Sequence, residues 1–145
     1  MKNHLSVLAL CCLILFSCKK NLTPDKPNEP DLMPIDTTIT KLAFSGSFIK
    51  GPWGTTSGIA KVIITKGKLQ LRLDSFMVSS GPDLKVYISK ELQPLNFIRL
   101  GDLKGLSGDQ LYDIPGNPDF MEYPYALIYC EKFNHLFGSA LLMKL

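Results

Sequence analysis

The stretch Lys68–Phe76, KLQLRLDSF, carries leucine at positions 69, 71 and 73. The three leucines alternate with Gln70 and Arg72, so apolar and polar side chains take turns along the chain. Successive side chains of a β-strand point to opposite faces, and this period of two therefore predicts a strand with one buried and one wet face. The pattern makes an all-β fold the first expectation.

Similar runs lie on both sides of this stretch, and turn signals separate them. Gly67 in TKGK predicts a hairpin, and the segments SSGPD (79–83) and GNPD (116–119) predict loops. The run ALIYC is apolar on both faces, as in a central strand covered on both sides. The other runs are Leu42–Ile49, Gly58–Thr65, Leu84–Ser89 and Ala140–Leu145. About seven or eight short strands predict a single antiparallel β-sandwich or barrel-like domain.

The core of this domain is predicted from its bulky residues. In the last run, Leu141, Met143 and Leu145 share one face. The aromatic residues expected to fill the core are Phe44, Phe48, Phe76, Phe97, Phe133 and Phe137.

The N-terminus has the layout of a secretory signal peptide at residues 1–17. Lys2 is followed by an apolar run from Leu5 to Phe16, which is too short to span a bilayer as a helix. LFSC (15–18) resembles the lipobox of bacterial lipoproteins, which implies that Cys18 becomes the first mature residue and carries a lipid. An ordinary signal peptide cut nearby, or an uncleaved anchor helix, is the alternative. We therefore expect an exported protein that is anchored in the membrane of the bacterial cell envelope through Cys18.

Residues 18–40 combine the lipidated cysteine with a proline-rich segment. Pro24, Pro27, Pro30 and Pro34 stand among charged and polar residues with no apolar period. Proline-rich segments favour extended conformations, so this segment is predicted to be a tether, with a recognition peptide as the alternative. The β domain then occupies residues 41–145. Its 12 Lys and Arg and 9 Asp and Glu are mixed along the chain, which gives no basis for nucleic-acid binding.

Removal of the signal peptide and lipidation of Cys18 would leave Cys130 as the free thiol. Cys11 and Cys12 leave with the signal, so an odd cysteine remains in an oxidising compartment. Free cysteines are often buried core residues, and a redox role requires thiolate character and access. Lys132 lies on the same face as Cys130 if the strand continues, whereas Glu131 would oppose a thiolate. The sequence leaves both interpretations open.

Other chemistry has less support. His135 is the histidine of the mature chain, and a Cys130–His135 dyad would require a hairpin between the two residues. No hydrolase nucleophile elbow and no metal-ligand spacing occurs, and the carboxylates of GDQLYD (108–113) have a spacing common in plain loops. A haem with Cys130 as axial thiolate has no support beyond the cysteine itself. Trp53, between glycines in KGPWGTTSG, is either a platform for a glycan or folded back over the core edge.

Three segments together resemble the DM-thirteen domain family, described as an electron-transfer domain of extracellular proteins. They are GPDLKVYIS (81–89), LGDLKGLSGDQLYDIP (100–115) and YALIYCEKFNHLFGSALL (125–142), and the resemblance extends over residues 42–145. It implies an all-β domain with a hallmark cysteine at Cys130, which acts as a bare thiol or holds a prosthetic group such as haem. Members often have a histidine where this chain has Thr55 and Thr56, and no ligand role transfers to His135.

Two hypotheses follow. In the first, the protein is a membrane-tethered redox module in which Cys130 either exchanges electrons itself or ligates a cofactor, with an unidentified partner in the cell envelope. In the second, it is a non-enzymatic surface domain that binds a protein or glycan through its loops, and Cys130 fills the core. A redox or binding module is favoured over a stand-alone enzyme, with a hydrolase third.

Overall fold

The leucine alternation of Lys68–Phe76 lies in a strand that continues to Val78. The structure is a computed structural model that describes residues 41–145. The predicted signal peptide, Cys18 and the proline-rich tether fall outside the described residues. The strands are β1 (Lys41–Lys50), β2 (Thr56–Thr65), β3 (Lys68–Val78), β4 (Leu84–Ser89), β5 (Phe97–Asp102), β6 (Gln110–Asp113), β7 (Tyr125–Cys130), β8 (His135–Leu141) and β9 (Met143–Lys144).

The predicted hairpin at Gly67 is confirmed. Lys66 and Gly67 alone separate β2 from β3, and their φ angles are 52° and 75°. Positive φ at both central residues is the mark of a type I′ turn, whose twist matches that of the two strands. Gly67 accepts this conformation without strain because it has no Cβ.

A bulge reverses the side-chain phase within β3. Leu71 and Leu73 are buried at odd positions, whereas Phe76 and Val78 are buried at even ones. The change occurs at Ser75, which has a φ of 47°, opposite the register shift between Ser57 and Ile59 of β2. One extra residue on the bulged strand keeps the apolar side chains on the core face.

The strands form one nine-stranded sheet that is nearly closed into a barrel. Its order is β5-β4-β7-β8-β1-β2-β3-β6, and β9 pairs with β1. All the pairings among these strands are antiparallel. The outer strands β5 and β6 meet at a seam where Lys104 donates its backbone N–H to the Tyr112 hydroxyl over 2.9 Å. The expected all-β, antiparallel, barrel-like fold is thus confirmed.

The core lies inside this sheet, and a second apolar cluster lies outside it. In β7, Ala126, Ile128 and Cys130 face the core, whereas Leu127 and Tyr129 belong to the outer cluster with Tyr87 and Leu136. The prediction that ALIYC is covered on both faces is confirmed. Within residues 41–145 no α-helix occurs, and none of their segments is a helix long and apolar enough to cross a membrane.

Two predicted core aromatics lie elsewhere. Phe48, Phe76 and Phe137 are buried and Phe44 packs against the core, but Phe97 and Phe133 are 43% and 53% exposed. Phe97 begins the outer strand β5 and its ring contacts Tyr87 outside the core, with ring centroids 4.4 Å apart. Phe133 lies in a short turn with no buried residue.

The C-terminal run also differs from its prediction. It is divided between β8 and β9, and Leu142 between them is buried. Leu141, Met143 and Leu145 do share a face, but this face is exposed. The reason is that β9 pairs with the first half of β1, so alternation places Leu142 rather than its neighbours over the core.

The register defines two ends of the sheet. Lys41 pairs with Ile64 at one end, where Lys144 of β9 lies opposite Phe44, and we call this the Lys41 end. Leu84, Cys130 and His135 pair at the other, which we call the Cys130 end. Ten residues of β1 connect the two ends, a span of roughly 30 Å. The described residues contain their own core and both strands of every pairing in the sheet, so this segment can fold as a unit.

Candidate functional site

Cys130 is the last residue of β7 and is fully buried, with 0% of its surface exposed. Its register partners are Leu84 at the start of β4 and His135 at the start of β8. The thiol therefore lies inside the core but in the last rung of the sheet. It is the free cysteine of the described residues.

The chain turns immediately after Cys130. Glu131–Phe133 form a single turn of 3₁₀-helix, and Asn134 follows in the left-handed conformation with φ 53° and ψ 46°. Asparagine tolerates this region better than most residues with a side chain. The strand does not continue, so Lys132 does not share a strand face with Cys130. Instead, the Lys132 ammonium lies 5.6 Å from the centre of the Phe133 ring.

Few backbone bonds hold this turn. The Glu131 N–H donates to the Asp83 carbonyl over 3.1 Å, and the Asn134 N–H donates to the Glu131 carbonyl over 3.4 Å. None of the three helical residues is buried. A segment with few buried contacts opens at a lower free energy than the whole domain, so the backbone of this turn is a local weak point beside the thiol, and its side-chain anchors are those of Glu131.

An aromatic stack covers the outside of the Cys130 end. The indole of Trp53 lies parallel to the imidazole of His135, with ring centroids 3.8 Å apart and planes 3° apart. Trp53 is 60% exposed, and its loop is fixed by hydrogen bonds from Gly51 N–H to the Phe137 carbonyl and from Trp53 N–H to the Leu136 carbonyl. Trp53 therefore does not enter the core and presents one ring face to the surroundings.

The hairpin does bring His135 opposite Cys130, as a dyad would require. Directly opposed residues of an antiparallel pair have Cβ atoms about 5 Å apart and share a face. However, the imidazole is stacked on Trp53, and no hydrogen bond between described residues joins it to the thiol. The arrangement lacks the contact between base and nucleophile that a catalytic dyad needs.

A polar network lies on the outer face next to the turn. The Tyr87 hydroxyl donates to a Glu131 carboxylate oxygen over 2.5 Å, and Arg99 Nε lies 3.0 Å from the same oxygen. Burial, and then the hydrogen bond to Glu131, raises the pKa of Tyr87 far above its ordinary value. The negative charge that the sequence placed beside the thiol is therefore paired with a tyrosine and an arginine.

A second charged group supports the same end. Lys85 Nζ lies 2.6 Å from an Asp83 oxygen and 2.8 Å from an Asp102 oxygen. The hydrogen bonds to Asp102 and Asp83 raise the pKa of Lys85, and the bond from Lys85 lowers the pKa of Asp102. The Lys85–Asp102 ion pair joins β4 to β5 beside the turn.

Glycine packing also shapes this end. A Cβ on Gly138 would lie 2.4 Å from the Thr56 side chain, whose hydroxyl donates to the Phe137 carbonyl over 2.8 Å. The close approach of β8 to β2 thus requires glycine at this position. Thr56 therefore has a structural hydrogen bond at this end.

The residues around Cys130 do not fit a haem. A thiolate ligand must present its sulfur to an open face of the porphyrin. Cys130 has no exposed surface, and it lines neither of two surface grooves of about 370 and 290 Å³. Among residues 41–145, no group of three His, Cys, Asp or Glu side chains is arranged to hold a metal ion.

The carboxylates of GDQLYD have structural partners. This segment is not a plain loop, because Gln110–Asp113 form β6. Asp109 accepts the backbone N–H of Ser75 over 2.9 Å and pairs with Arg72 over 3.1 Å, so it stabilises the bulge of β3. Asp113 accepts from the Gln70 amide across the strand pair.

Two features of this end were missed by the sequence analysis. The stack joins residues 53 and 135, and the network joins residues 87, 99 and 131, so no local motif contains either one. The pairing of β1 with β8 and of β4 with β5 brings them together. The clue that the sequence did contain was the position of Trp53 in a glycine-rich loop.

Comparison with known proteins gives one family. The family model described as Electron transfer DM13 matches residues 47–142, which include β2 to β8 whole and the last four residues of β1. No curated protein and no solved structure is similar enough to match.

Proposed function

This chain belongs to the electron transfer DM13 family, and from that membership we propose that it is an extracytoplasmic electron-transfer domain tethered to the bacterial envelope. In this proposal, a lipid on Cys18 anchors the chain and residues 19–40 act as the tether. Cys130 is the redox group. The partner is a protein of the envelope that exchanges electrons with this thiol.

The observation that carries the proposal is the placement of Cys130 in the last rung of the sheet, before a weakly held turn. A thiol in the middle of the sheet would be reached only by global unfolding. Here, opening of residues 131–135 would release the thiol while the rest of the core stays packed. Burial then protects the thiol from the oxidising compartment between encounters.

The chemistry of a thiol without an internal partner is exchange with an external disulfide. Cys130 first loses its proton to water. The thiolate then attacks one sulfur of a partner disulfide, a new S–S bond forms, and the other partner sulfur leaves as a thiolate that takes up a proton. One partner sulfur is thereby reduced to a thiol, and the Cys130 sulfur is oxidised and held with the other partner sulfur in a mixed disulfide.

Exposure of the folded protein to oxidised glutathione tests this proposal. The variant for comparison is Cys130→Ser, and each protein spans Lys41–Leu145 so that Cys18 does not contribute. We expect the parent to gain the mass of one glutathione under native conditions, to lose it with a reductant, and to remain folded throughout. Failure of the folded parent to form the adduct would overturn the redox role of Cys130.

A second candidate function is supported by the exposed Trp53–His135 stack. Parallel, partly exposed aromatic rings are suited to stacking against the apolar face of a sugar or a planar side chain. In this case Cys130 would be core filling. Glycan-array binding that Trp53→Ala abolishes and Cys130→Ser leaves intact would favour this candidate.

A further inference from the structure

The Lys41 end of the sheet exposes large apolar side chains. Among the described residues, the three most exposed large hydrophobic side chains are Leu95, Met121 and Leu145, at 81%, 75% and 70%. Leu95 lies in the loop between β4 and β5, and Met121 lies in the loop before β7. Leu145 is held at the same end by a hydrogen bond from its N–H to the Ala43 carbonyl.

Met121 lines an apolar groove at this end, and Leu95 and Leu145 lie in the segments that flank it. A groove of about 290 Å³ lies between residues 120–124 and residues 141–144, and its lining is mainly apolar. The Leu142 N–H donates to the Pro124 carbonyl over 2.7 Å and fixes the two segments together. An ion pair between Lys90 and Glu122, 2.8 Å apart, connects the β4–β5 loop to the same surface.

Cations border this apolar surface. Lys41, Lys68 and Lys144 are exposed at this end, and none of them forms an ion pair with another described residue. Of the nearby carboxylates, Glu122 pairs with Lys90, and Asp119 keeps its negative charge while it accepts the Met121 N–H. Apolar side chains with surrounding lysines are the combination that binds a membrane containing anionic lipids.

We propose that the Lys41 end is a lipid-binding surface that lies on an anionic phospholipid membrane. The inference rests on the lipid anchoring in the proposed function, because the predicted tether joins the domain at Lys41. A lipid chain together with an apolar and basic surface holds a protein on a membrane more firmly than either signal alone. The Cys130 end, roughly 30 Å away along β1, then faces away from the membrane.

Vesicle binding of the unlipidated Lys41–Leu145 segment tests the surface without the anchor. One set of vesicles contains phosphatidylcholine alone, and the other contains equal parts of phosphatidylcholine and phosphatidylglycerol. We expect sedimentation with the anionic vesicles only. The Met121→Glu/Met143→Glu variant should lose at least about tenfold in affinity, because charge replaces two exposed apolar side chains. Lys41→Glu/Lys144→Glu should bind the anionic vesicles no better than the phosphatidylcholine vesicles.

Met77→Glu is the matched control. Met77 is 61% exposed but lies near the Cys130 end, so its substitution should leave binding unchanged. The parent binding neither set of vesicles, or an equal loss in Met77→Glu, would overturn the proposal. Dimerisation that Met121→Glu/Met143→Glu abolishes, without vesicle binding, would assign the surface to a second copy and overturn it too.

Tryptophan fluorescence tests the orientation independently of affinity. Trp53 is the one tryptophan of the chain and lies at the Cys130 end, so its emission should not shift when vesicles bind. In the Trp53→Phe/Leu95→Trp variant, the new indole at the Lys41 end should shift to the blue. A blue shift of Trp53 itself would contradict the orientation. These measurements do not involve the thiol, so their failure is distinguishable from failure of the redox proposal.

Discussion

The redox proposal depends at the residue scale on a thiol that is buried but lies at an edge of the core. From the sequence, Cys130 was either core filling or a redox group, and 0% exposure agrees with the first as a static fact. Its position at the end of β7, beside a turn without buried residues, provides a way to expose the thiol without global unfolding, as the redox role requires. The two roles differ in how the thiol becomes reachable and not in where it lies.

The sequence could not locate this edge because strand ends depend on distant partners. The composition of ALIYC predicted a buried strand, and it is one. That the strand stops at Cys130, rather than continuing through Lys132, follows from the turn geometry of Asn134 and from pairing with Leu84 and His135. Neither is contained in local periodicity.

Tyr87 gives a prediction for alkaline pH. Burial and the bond to Glu131 raise the pKa of Tyr87, so the unfolded chain releases this proton at about pH 10, before the folded protein does. Above that pH the unfolded state binds fewer protons, and the free energy of unfolding falls. In Tyr87→Phe we expect a shallower fall in denaturant unfolding series above about pH 10.

The effect of Tyr87→Phe should be partial. Burial also raises the pKa values of Tyr112 and Tyr129, so part of the alkaline fall remains. The same slope in parent and variant would show that Tyr87 does not keep its proton in the folded protein.

The I′ hairpin gives a prediction at the scale of elements. Gly67→Ala adds a Cβ that meets no atom within 4 Å, so its cost comes only from the positive φ of 75°. We expect a loss of about 1–2 kcal/mol in the free energy of unfolding, measured with denaturant.

Gly105→Ala is the control for this substitution. A Cβ there would lie 3.6 Å from the Ser107 carbonyl oxygen, an ordinary contact, and Gly105 has no positive φ of this kind. It should be neutral or slightly stabilising. Equal losses in the two variants would contradict the turn assignment.

Asp109 links β6 to the bulge of β3 and gives a prediction for acid. The bond from the Ser75 N–H, and then the bond from Arg72, lower the pKa of Asp109. Its contribution to stability is therefore present above the ordinary pKa of about 3.9 and is lost as the pH falls through the lower pKa of the folded protein. Asp109→Asn should be less stable than the parent at neutral pH, and its stability should decline less below about pH 4.

Thermal unfolding of the two proteins across this pH range measures the difference. Parallel curves for the parent and Asp109→Asn would show that the carboxylate does not stabilise the bulge through its charge.

The elements that the sequence predicted are those with an apolar period. β1 to β4 and β7 follow such runs closely. β8 was predicted only from Ala140, although it begins at His135. The strands β5 and β6 were not predicted, because FIRLGD mixes charged residues with glycine and QLYD is only four residues long. They become strands by pairing with β4 and β3, which is a tertiary effect that overrides weak local preference.

At the scale of the whole molecule, the main feature is the position of the Lys41 end relative to the Cys130 end. Antiparallel pairing places the start of β1 and Cys130 at opposite ends of the sheet. The proposed tether and lipid surface are at one end, and the thiol with the Trp53–His135 stack is at the other. A domain arranged in this way would hold its redox end toward partners in the surrounding compartment.

The sequence alone could not predict which features lie at which end of the sheet, because this depends on how the strands pair. The lipobox is given by a resemblance and the tether and the domain boundary by composition, and all three stay predictions. Which end receives the tether follows only from the strand order, in which β1 is central and β5 and β6 lie at the edges. The exposed face of Leu141, Met143 and Leu145 likewise depends on the pairing of β9 with β1.

The most direct measurement is the rate at which the Cys130 thiol reacts with an aromatic disulfide reagent in the folded Lys41–Leu145 segment, compared with the rate of global unfolding. The reference is Cys130→Ala/Ala60→Cys, which moves the thiol to a fully buried position in the middle of β2. We expect Cys130 to react much faster than the domain unfolds, and Trp53→Ala to accelerate this reaction further. The relocated thiol of the reference variant should react no faster than global unfolding allows. Reaction of Cys130 only at the rate of global unfolding would contradict the account and leave the thiol as core filling.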